Sequence, residues 1–363
     1  MTRYAPEVLT AFCTDVLVAS GVRQPVAATV AASLIYADVR GVDSHGVLRL
    51  PIYVRRVREG MVDVEREPGI IEDRGATALL DGGNNFGAYV GQKALDLAIE
   101  RARRHGVATI AVRRSNHFGT AAYFAEQAAA GGLIAVIVSN ASQTMPPTGG
   151  VRPFLGTNPL AIAAPSGGVS PFLLDMATSQ VARGKIIAAA RRGEPIPEGW
   201  AIDAAGQPTR DAEAGLAGAV LPLGGAKGYG LSMAIDILAG VLTGAGYGPY
   251  VRNMYEDWDN PQDVGHAFIL IDIAAFMPLS SFVARMREYL GLLKTEPRAP
   301  GVAEILFAGE YEHRLAEGTR ESGIALSPAL VQELAVLAKD LAVAPPVPIV
   351  TPLDLRGAAA AGS

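Results

Sequence analysis

The sequence predicts an α/β fold: a mixed-sheet core of non-Rossmann type behind a helical N-terminal region. Three observations lead there. Apolar residues at spacings of three and four fill residues 6 to 40, and strand-like and helix-like segments then alternate through the middle of the chain. No G-x-G-x-x-G follows the first strand of an α/β unit, and Gly82-Gly83-x-x-x-Gly87 misses that spacing as well.

Residues 6 to 40 read as two helices joined near Gly21 to Pro25. From about 77, ATALLDG is a short strand, Gly82 to Gly87 a Gly/Asn turn, and YVGQKALDLAIERARRHG a helix that stops at Gly106. Then GVATIAVR (106 to 113), TAAYFAEQAAAGG and LIAVIVSN (133 to 140) form a βαβ unit with two buried strands. Its loop SNHFG lies between the carboxyl end of a strand and a helix start, where open α/β sheets place ligands. PLAIAAP (159 to 165), FLLDMAT (172 to 178) and HAFILIDI (266 to 273) are further strands. QVARGKIIAAARR is a helix and GYGLSMAIDILAGVLTG a long buried one, while SSFVARMREYLGLLK and SPALVQELAVLAKDLA close the fold. The expected division is 1–75, helical and carrying Ser44-His45-Gly46; 76–290, the α/β core; 291–343, packing on the N-terminal region; and 344–363, a Pro-rich then Ala/Gly-rich tail expected to be mobile.

Composition narrows the function. Of 363 residues half are apolar, the net charge is −5, and no run of Lys or Arg exceeds a pair, so no nucleic-acid footprint is expected. Cys13 is the single cysteine, which leaves no intrachain disulfide or cysteine zinc site and fits a reducing cytoplasm. Glu7 and Asp15 interrupt any secretory core, and no apolar run approaches the ~20 residues that span a bilayer, so no membrane segment is expected. The richness in Ala and Gly suits either an oligomer with buried interfaces or Ala-rich packing within one subunit.

Only five histidines occur, and two lie in polar loops bounded by glycine: Ser44-His45-Gly46 and Asn116-His117-Phe118-Gly119. An imidazole titrates nearest neutrality and suits proton donation to a carbonyl oxygen as hydride reaches its carbon. Ser44 is placed to orient the His45 ring, and Arg49 shares a face with His45 if that segment is helical, where a guanidinium can grip a carboxylate. Local bonding or helix capping, by Asp43 and Ser44 or by His117, is the competing explanation. His105, His266 and His313 read as a helix-end charge, a strand start and a surface residue, with no role assigned. Two Gly-bearing helix starts can hold a pyrophosphate: 117 to 121, and GGAKGYG (224 to 230) with Lys227 as cation. Asp175 at a strand end suits a ribose hydroxyl or a helix cap, and Thr157-Asn158 is a donor pair or merely a turn. Asp43 or Asp175 with the histidines is the alternative, a metal site for hydrolase or lyase chemistry.

Taken in order, RGVDSHGVLRLPIYVRRV, SNHFGTAAYFAEQA, GTNPLAIAAP, LLDMATSQVARGKI, GGAKGYGLSMAIDILAG and ILFAGE resemble the signature blocks of the malate/L-lactate dehydrogenase type 2 family, from about residue 5 to 340. The resemblance implies the family's L-sulfolactate dehydrogenase-like fold, a homodimer, and an active site between sub-domains. It implies hydride transfer between NAD or NADP and a small 2-oxo or 2-hydroxy acid such as malate or lactate, with cyclic imino acids and keto-sugar acids as alternatives on the same scaffold. By the same resemblance His45 is the proton donor, Ser44 its relay partner and Arg49 the carboxylate anchor, while Thr157 touches substrate. His117 is the rival acid/base. His117, Phe118, Gly119, Thr120, Ala121, Ser139, Asp175, Met176, Ala177, Lys227, Gly228, Gly309 and Glu310 would line the cofactor, and no metal is implied. A catalytically silent binding protein on this scaffold is the remaining alternative.

Overall fold

Leu9, Phe12, Cys13, Val16 and Leu17 recur at spacings of three and four, and all are buried, which is the pattern of a helix that turns one stripe inward. The computed structural model describes residues 1–168 and 170–349. In chain order its elements begin with β1 (Thr2–Tyr4), α1 (Pro6–Ala19), α2 (Gln24–Val39), α3 (Leu50–Arg58), β2 (Gly69–Asp73), β3 (Thr77–Asp81) and α4 (Gly87–His105). Next come β4 (Val107–Ser115), α5 (Ala122–Ala130), β5 (Leu133–Ser139), β6 (Leu160–Ala164), β7 (Phe172–Met176) and α6 (Arg183–Arg192). Then follow β8 (Ala201–Ile202), β9 (Pro208–Thr209), α7 (Ala212–Ala217), β10 (Ala219–Val220), α8 (Ala226–Asp236) and β11 (Val264–Asp272). The last are α9 (Leu279–Thr295), α10 (Glu310–Ser322), β12 (Ile324–Leu326) and α11 (Pro328–Asp340).

The chain divides into two compact units, 1–58 with 312–363, and 59–311. The sequence-based boundaries stood at 75, 290 and 343. In the first unit α1 and α2 pack together, each with proline in its first turn, where the missing N–H costs nothing. The antiparallel pair β1 and β12 joins the two ends of that unit's chain, with Arg3 Nη1 donating to Gly323 O at 2.7 Å. Of the expected mobile tail, residues 350–363 lie outside the described residues, and Ile349 N donates to Arg3 O at 2.8 Å.

The second unit is built on a seven-stranded sheet of order β2-β3-β4-β11-β5-β6-β7. Only β3 and β4 pair in parallel, through the crossover helix α4; every other neighbouring pair is antiparallel. The mixed sheet agrees with the sequence. The strands of the expected βαβ unit, β4 and β5, do run parallel, but β11 lies between them, antiparallel to both. Helices cover both faces. Phe268 on β11 meets Phe124 of α5 edge-on at 5.6 Å, whereas Ala267, facing the other way, packs with Ile235 and Val138 beneath α8. A satellite core of Val181, Ile186, Ile196, Ala201 and Val220 gathers α6, α7 and the small sheet β10-β8-β9.

Two expectations for the helices need correction. The segment beginning at 228 is not buried on all sides: α8 passes into a π-helical turn, Ile237–Val241, and exposes Met233, Ile237, Val241 and Leu242. Thr243 Oγ1 donates to the Ala239 carbonyl at 2.6 Å, satisfying a backbone group at that irregular turn. Helix α10 was not expected at all, because EYEHRLAEGTRES is highly charged and buries little beyond Ala316. Replacing Phe268, a fully buried side chain at the centre of the sheet, by Ala is expected to lower the unfolding free energy by about 3–5 kcal/mol in urea titrations. A loss under about 1 kcal/mol would mean that the cavity collapses and the ring is not a keystone.

Candidate active site

In the first unit the end of α2 shapes the loop that carries His45. Two 3-10 turns, Asp43–His45 and Val47–Arg49, are separated by Gly46 in an extended conformation. A Cβ on Gly46 would come within 1.7 Å of Asp38 Oδ1, so only glycine fits there. Asp38 Oδ2 accepts the Val47 N–H at 2.7 Å and holds the break in place. The common helical face expected for His45 and Arg49 therefore does not form. Instead Arg49 Nε donates to Ser44 O at 2.7 Å, while Ser44 Oγ lies 2.9 Å from His45 Nδ1. Ser44, His45 and Arg49 are brought together by a different route.

Electrostatics follow from this packing. Part of the His45 surface stays accessible, yet its imidazole is held well below its ordinary pKa, by burial first and by the Arg49 guanidinium second. It is neutral at physiological pH. Burial pushes the Asp38 carboxyl up to about 7; Asp43 adds to the rise, and the Val47 N–H opposes it. Tyr53 is pushed up to about 12 by burial, against the pull of Arg49.

In the second unit His117 follows β4, half-buried, with its backbone N–H donating to Gln262 Oε1 at 3.1 Å. The preceding Asn116 is buried, and its Nδ2 reaches Asn84 O, Asn84 Oδ1 and Asn85 O at 3.0–3.1 Å. Gly87, at the start of α4, packs so tightly on this loop that a Cβ would lie 2.0 Å from Asn116 O. Phe118 is buried against His266, Gly119 takes the left-handed conformation (φ 82°), and Thr120 and Ala121 lead into α5. Asn116 Oδ1 and Thr120 Oγ1 are buried without hydrogen-bond partners among the described residues. Asp175 Oδ2 accepts the Ala122 N–H at 3.0 Å, so the carboxylate caps α5 from the end of β7.

Backbone hydrogen bonds join three blocks that are far apart in sequence. Thr178 donates both N–H and hydroxyl to Thr157 O at 2.9 Å; Leu223 N–H donates to Thr178 O at 2.9 Å; Gly228 N–H donates to Leu223 O at 2.8 Å. Thr157, the Asp175-Met176-Ala177 strand end and the Lys227-Gly228 turn thus form one surface of the unit. Gly228 must be glycine, since a Cβ would meet Leu223 O at 2.3 Å, while Gly224 and Gly225 border open space and Lys227 is exposed. Gly309 (φ 90°) abuts Leu173 of β7, whose N–H donates to Ala308 O at 3.0 Å. Glu310 is buried with Oε1 2.6 Å from Lys294 Nζ, a partner that any ligand there would have to displace. Ser139 ends β5, buried, its hydroxyl donating to Asn140 O at 2.9 Å.

Sequence reasoning missed the residues that hold these loops. Asn158 is fully buried, accepting from Ala141 N–H at 2.9 Å and donating to Ser232 O at 3.0 Å. Asn140 bonds Asp236 and Gly246, Gln262 meets His117, and His266 is sealed inside the sheet. A polar residue within an apolar run was the one available signal, and it does not distinguish a strand start from a buried hub. Among the described residues no three His, Cys, Asp or Glu side chains gather as metal ligands, so the His/Asp metal alternative gains no ligand set. Nor is any described helix long and apolar enough to cross a membrane.

A family model described as malate/L-lactate dehydrogenase matches residues 4–335. A malate dehydrogenase of Pyrococcus abyssi is 42% identical over 349 residues, 94% of this chain and 95% of its own. An NAD(+)-dependent ureidoglycolate dehydrogenase of Escherichia coli strain K12 is 35% identical over 80% of this chain and 83% of its own. The solved structure of a sulfolactate dehydrogenase from Methanocaldococcus jannaschii superposes with a TM-score of 0.88 at 37% identity, covering 94% of this chain and 98% of that one.

Folding raises the Asp38 pKa from its ordinary 3.8 to about 7, so the folded chain keeps a proton that the unfolded chain releases between those values. This contribution is present below about 3.8 and lost as pH rises through 7. Asp38→Asn never ionises and retains an acceptor for Val47. Its stability relative to the unmodified chain is expected to rise between pH 4 and pH 8 in urea denaturation; a pH-independent difference would show that Asp38 carries no such proton.

Proposed function

The chain belongs to the malate/L-lactate dehydrogenase family, and from that membership we propose that it moves hydride between NAD(P)H and a small 2-oxo acid, or from a 2-hydroxy acid in reverse, with His45 exchanging the hydroxyl proton. The observation that carries this reading is the Ser44–His45–Arg49 cluster. Ser44 Oγ at 2.9 Å orients the imidazole through Nδ1, and Arg49, tied to the same serine, is the cation for a substrate carboxylate. This orienting pair is what assigns the proton to His45 in this reading.

The residues present fit a dinucleotide. The partnerless Asn116 Oδ1 and Thr120 Oγ1 offer an acceptor and a hydroxyl in the loop after β4. Of the two helix starts considered for pyrophosphate, that of α5 is already matched by the Asp175 carboxylate, which would repel a second anion. The start of α8 pairs open space at Gly224 and Gly225 with the Lys227 cation and supports the phosphates better. The bound nicotinamide supplies or takes the hydride. A neutral His45 accepts the hydroxyl proton during oxidation. During reduction it must first be protonated, which burial opposes most and Arg49 second; a substrate carboxylate that pairs with the guanidinium removes the second of these.

We further propose a homodimer in the cytoplasm. The exposed apolar side chains Met233, Ile237, Val241 and Leu242 supply a surface suited to burial against a second copy, and the buried, single Cys13 suits a reducing compartment. Val241→Asp is expected to halve the sedimenting mass at micromolar concentration; an unchanged mass would remove this face from the interface.

The direct test of the activity is NADH and NADPH oxidation against a panel of 2-oxo acids, keto-sugar acids and cyclic imines. Turnover of a 2-oxo acid is expected, and turnover confined to imines would overturn the substrate class. His45→Ala is expected to lower kcat by about 10²–10⁴-fold with little change in coenzyme affinity. Burial first and Arg49 second hold the His45 pKa down in the free enzyme; a substrate carboxylate paired with Arg49 removes the second cause, so the pKa that governs reduction is expected to be higher in kcat than in kcat/KM. An unchanged kcat in His45→Ala would transfer the proton to His117.

A further inference from the structure

His266 has no exposed surface and occupies β11, the strand between β4 and β5. Its Nε2 lies 2.8 Å from the hydroxyl of Ser115, the last residue of β4, and its Nδ1 lies 2.9 Å from the hydroxyl of Ser139, the last residue of β5. Phe118 stacks on the ring with centroids 4.4 Å apart and planes within 1° of parallel. One imidazole therefore touches both parallel strand ends and the residue next to His117.

Two tautomers satisfy the triad. With the hydrogen on Nδ1, Ser139 accepts from the ring and gives its own hydroxyl hydrogen to Asn140 O at 2.9 Å or Gly265 O at 3.4 Å, while Nε2 accepts from Ser115. With the hydrogen on Nε2, the ring donates toward Ser115 and the Asn116 carbonyl and Nδ1 accepts from Ser139, so both nitrogens are partnered either way. The ring is neutral, as burial dictates. A phenyl ring between two alanines would occupy a similar volume with no buried polar atoms, and such replacements commonly match or exceed the stability of a buried polar network. Stability alone does not account for this triad.

We propose that His266 is a positioning residue for hydride transfer: through Ser115, Ser139 and Phe118 it fixes the loop of His117 and the end of β5 in the arrangement that receives the nicotinamide half of the coenzyme. The proposal rests on the reading that this loop and Ser139 line the coenzyme. His266 acts through its neighbours and exchanges no proton with substrate.

The test is the triple replacement Ser115→Ala, His266→Phe, Ser139→Ala in the full chain, which keeps the ring stack and strands no hydroxyl. Its thermal midpoint is expected within a few degrees of the parent. NADH affinity, read by fluorescence titration without substrate, is expected to fall at least 10-fold, with KM for coenzyme raised in proportion and KM for the 2-oxo acid within twofold. Parental NADH affinity and kcat in the folded triple variant would overturn the proposal. Failure of the parent itself to bind either NADH or NADPH would instead overturn the coenzyme reading. Should the triple variant not fold, ¹⁵N-histidine spectra of the parent decide. One neutral tautomer, constant from pH 5 to 8 and perturbed on NADH addition, is expected; a titrating ring or indifference to NADH would overturn it.

Discussion

Insertion of β11 between β4 and β5 is the constraint on which the second unit depends. It is antiparallel to both neighbours, so β4 and β5 run the same way without touching, and their carboxyl ends lie two strand spacings apart, about 10 Å. The loops that leave those ends carry His117 to Ala121 on one side and Asn140 onward on the other. Besides the β11 ladder itself, a side-chain bridge ties the two ends together. Ser115, His266 and Ser139 perform that tie, with the imidazole satisfied on both nitrogens.

The first unit uses a different device for the same purpose. A helix through residues 42 to 50 would have been the default, and the Asp38 carboxylate prevents it by occupying the Val47 N–H and the space beside Gly46. The broken segment then presents Ser44, His45 and Arg49 together through a side chain to backbone bond instead of helical spacing. Burying a carboxylate is costly, and the raised Asp38 pKa measures that cost. A loop held by a buried side chain keeps a geometry that a mobile loop would lose.

Two histidines are pushed toward neutrality by burial, with opposite consequences. His266 has hydroxyl partners on both nitrogens, which suits a ring that holds position. His45 keeps part of its surface accessible and feels a guanidinium whose charge a substrate would compensate, which suits a ring that exchanges a proton on binding. Environment, not residue type, separates the two rings.

The sequence by itself determined the α/β class, the two N-terminal helices, six of the seven strands of the large sheet and, through six ordered motifs, the family. These are carried by local periodicity and short-range residue patterns, which need no knowledge of distant neighbours. Tertiary structure alone decided that β11 splits the βαβ unit, that Asp175 caps α5, that Glu310 faces Lys294, and that His266 is a hub and not a strand start. Each of these depends on pairing between residues from 16 to more than a hundred positions apart, and a hydrogen bond across such a distance leaves no periodic mark in either segment. The exposed apolar side of α8 shows the converse: its sequence reads as a buried helix because hydrophobicity encodes a preference for burial, and the chain alone does not say against what.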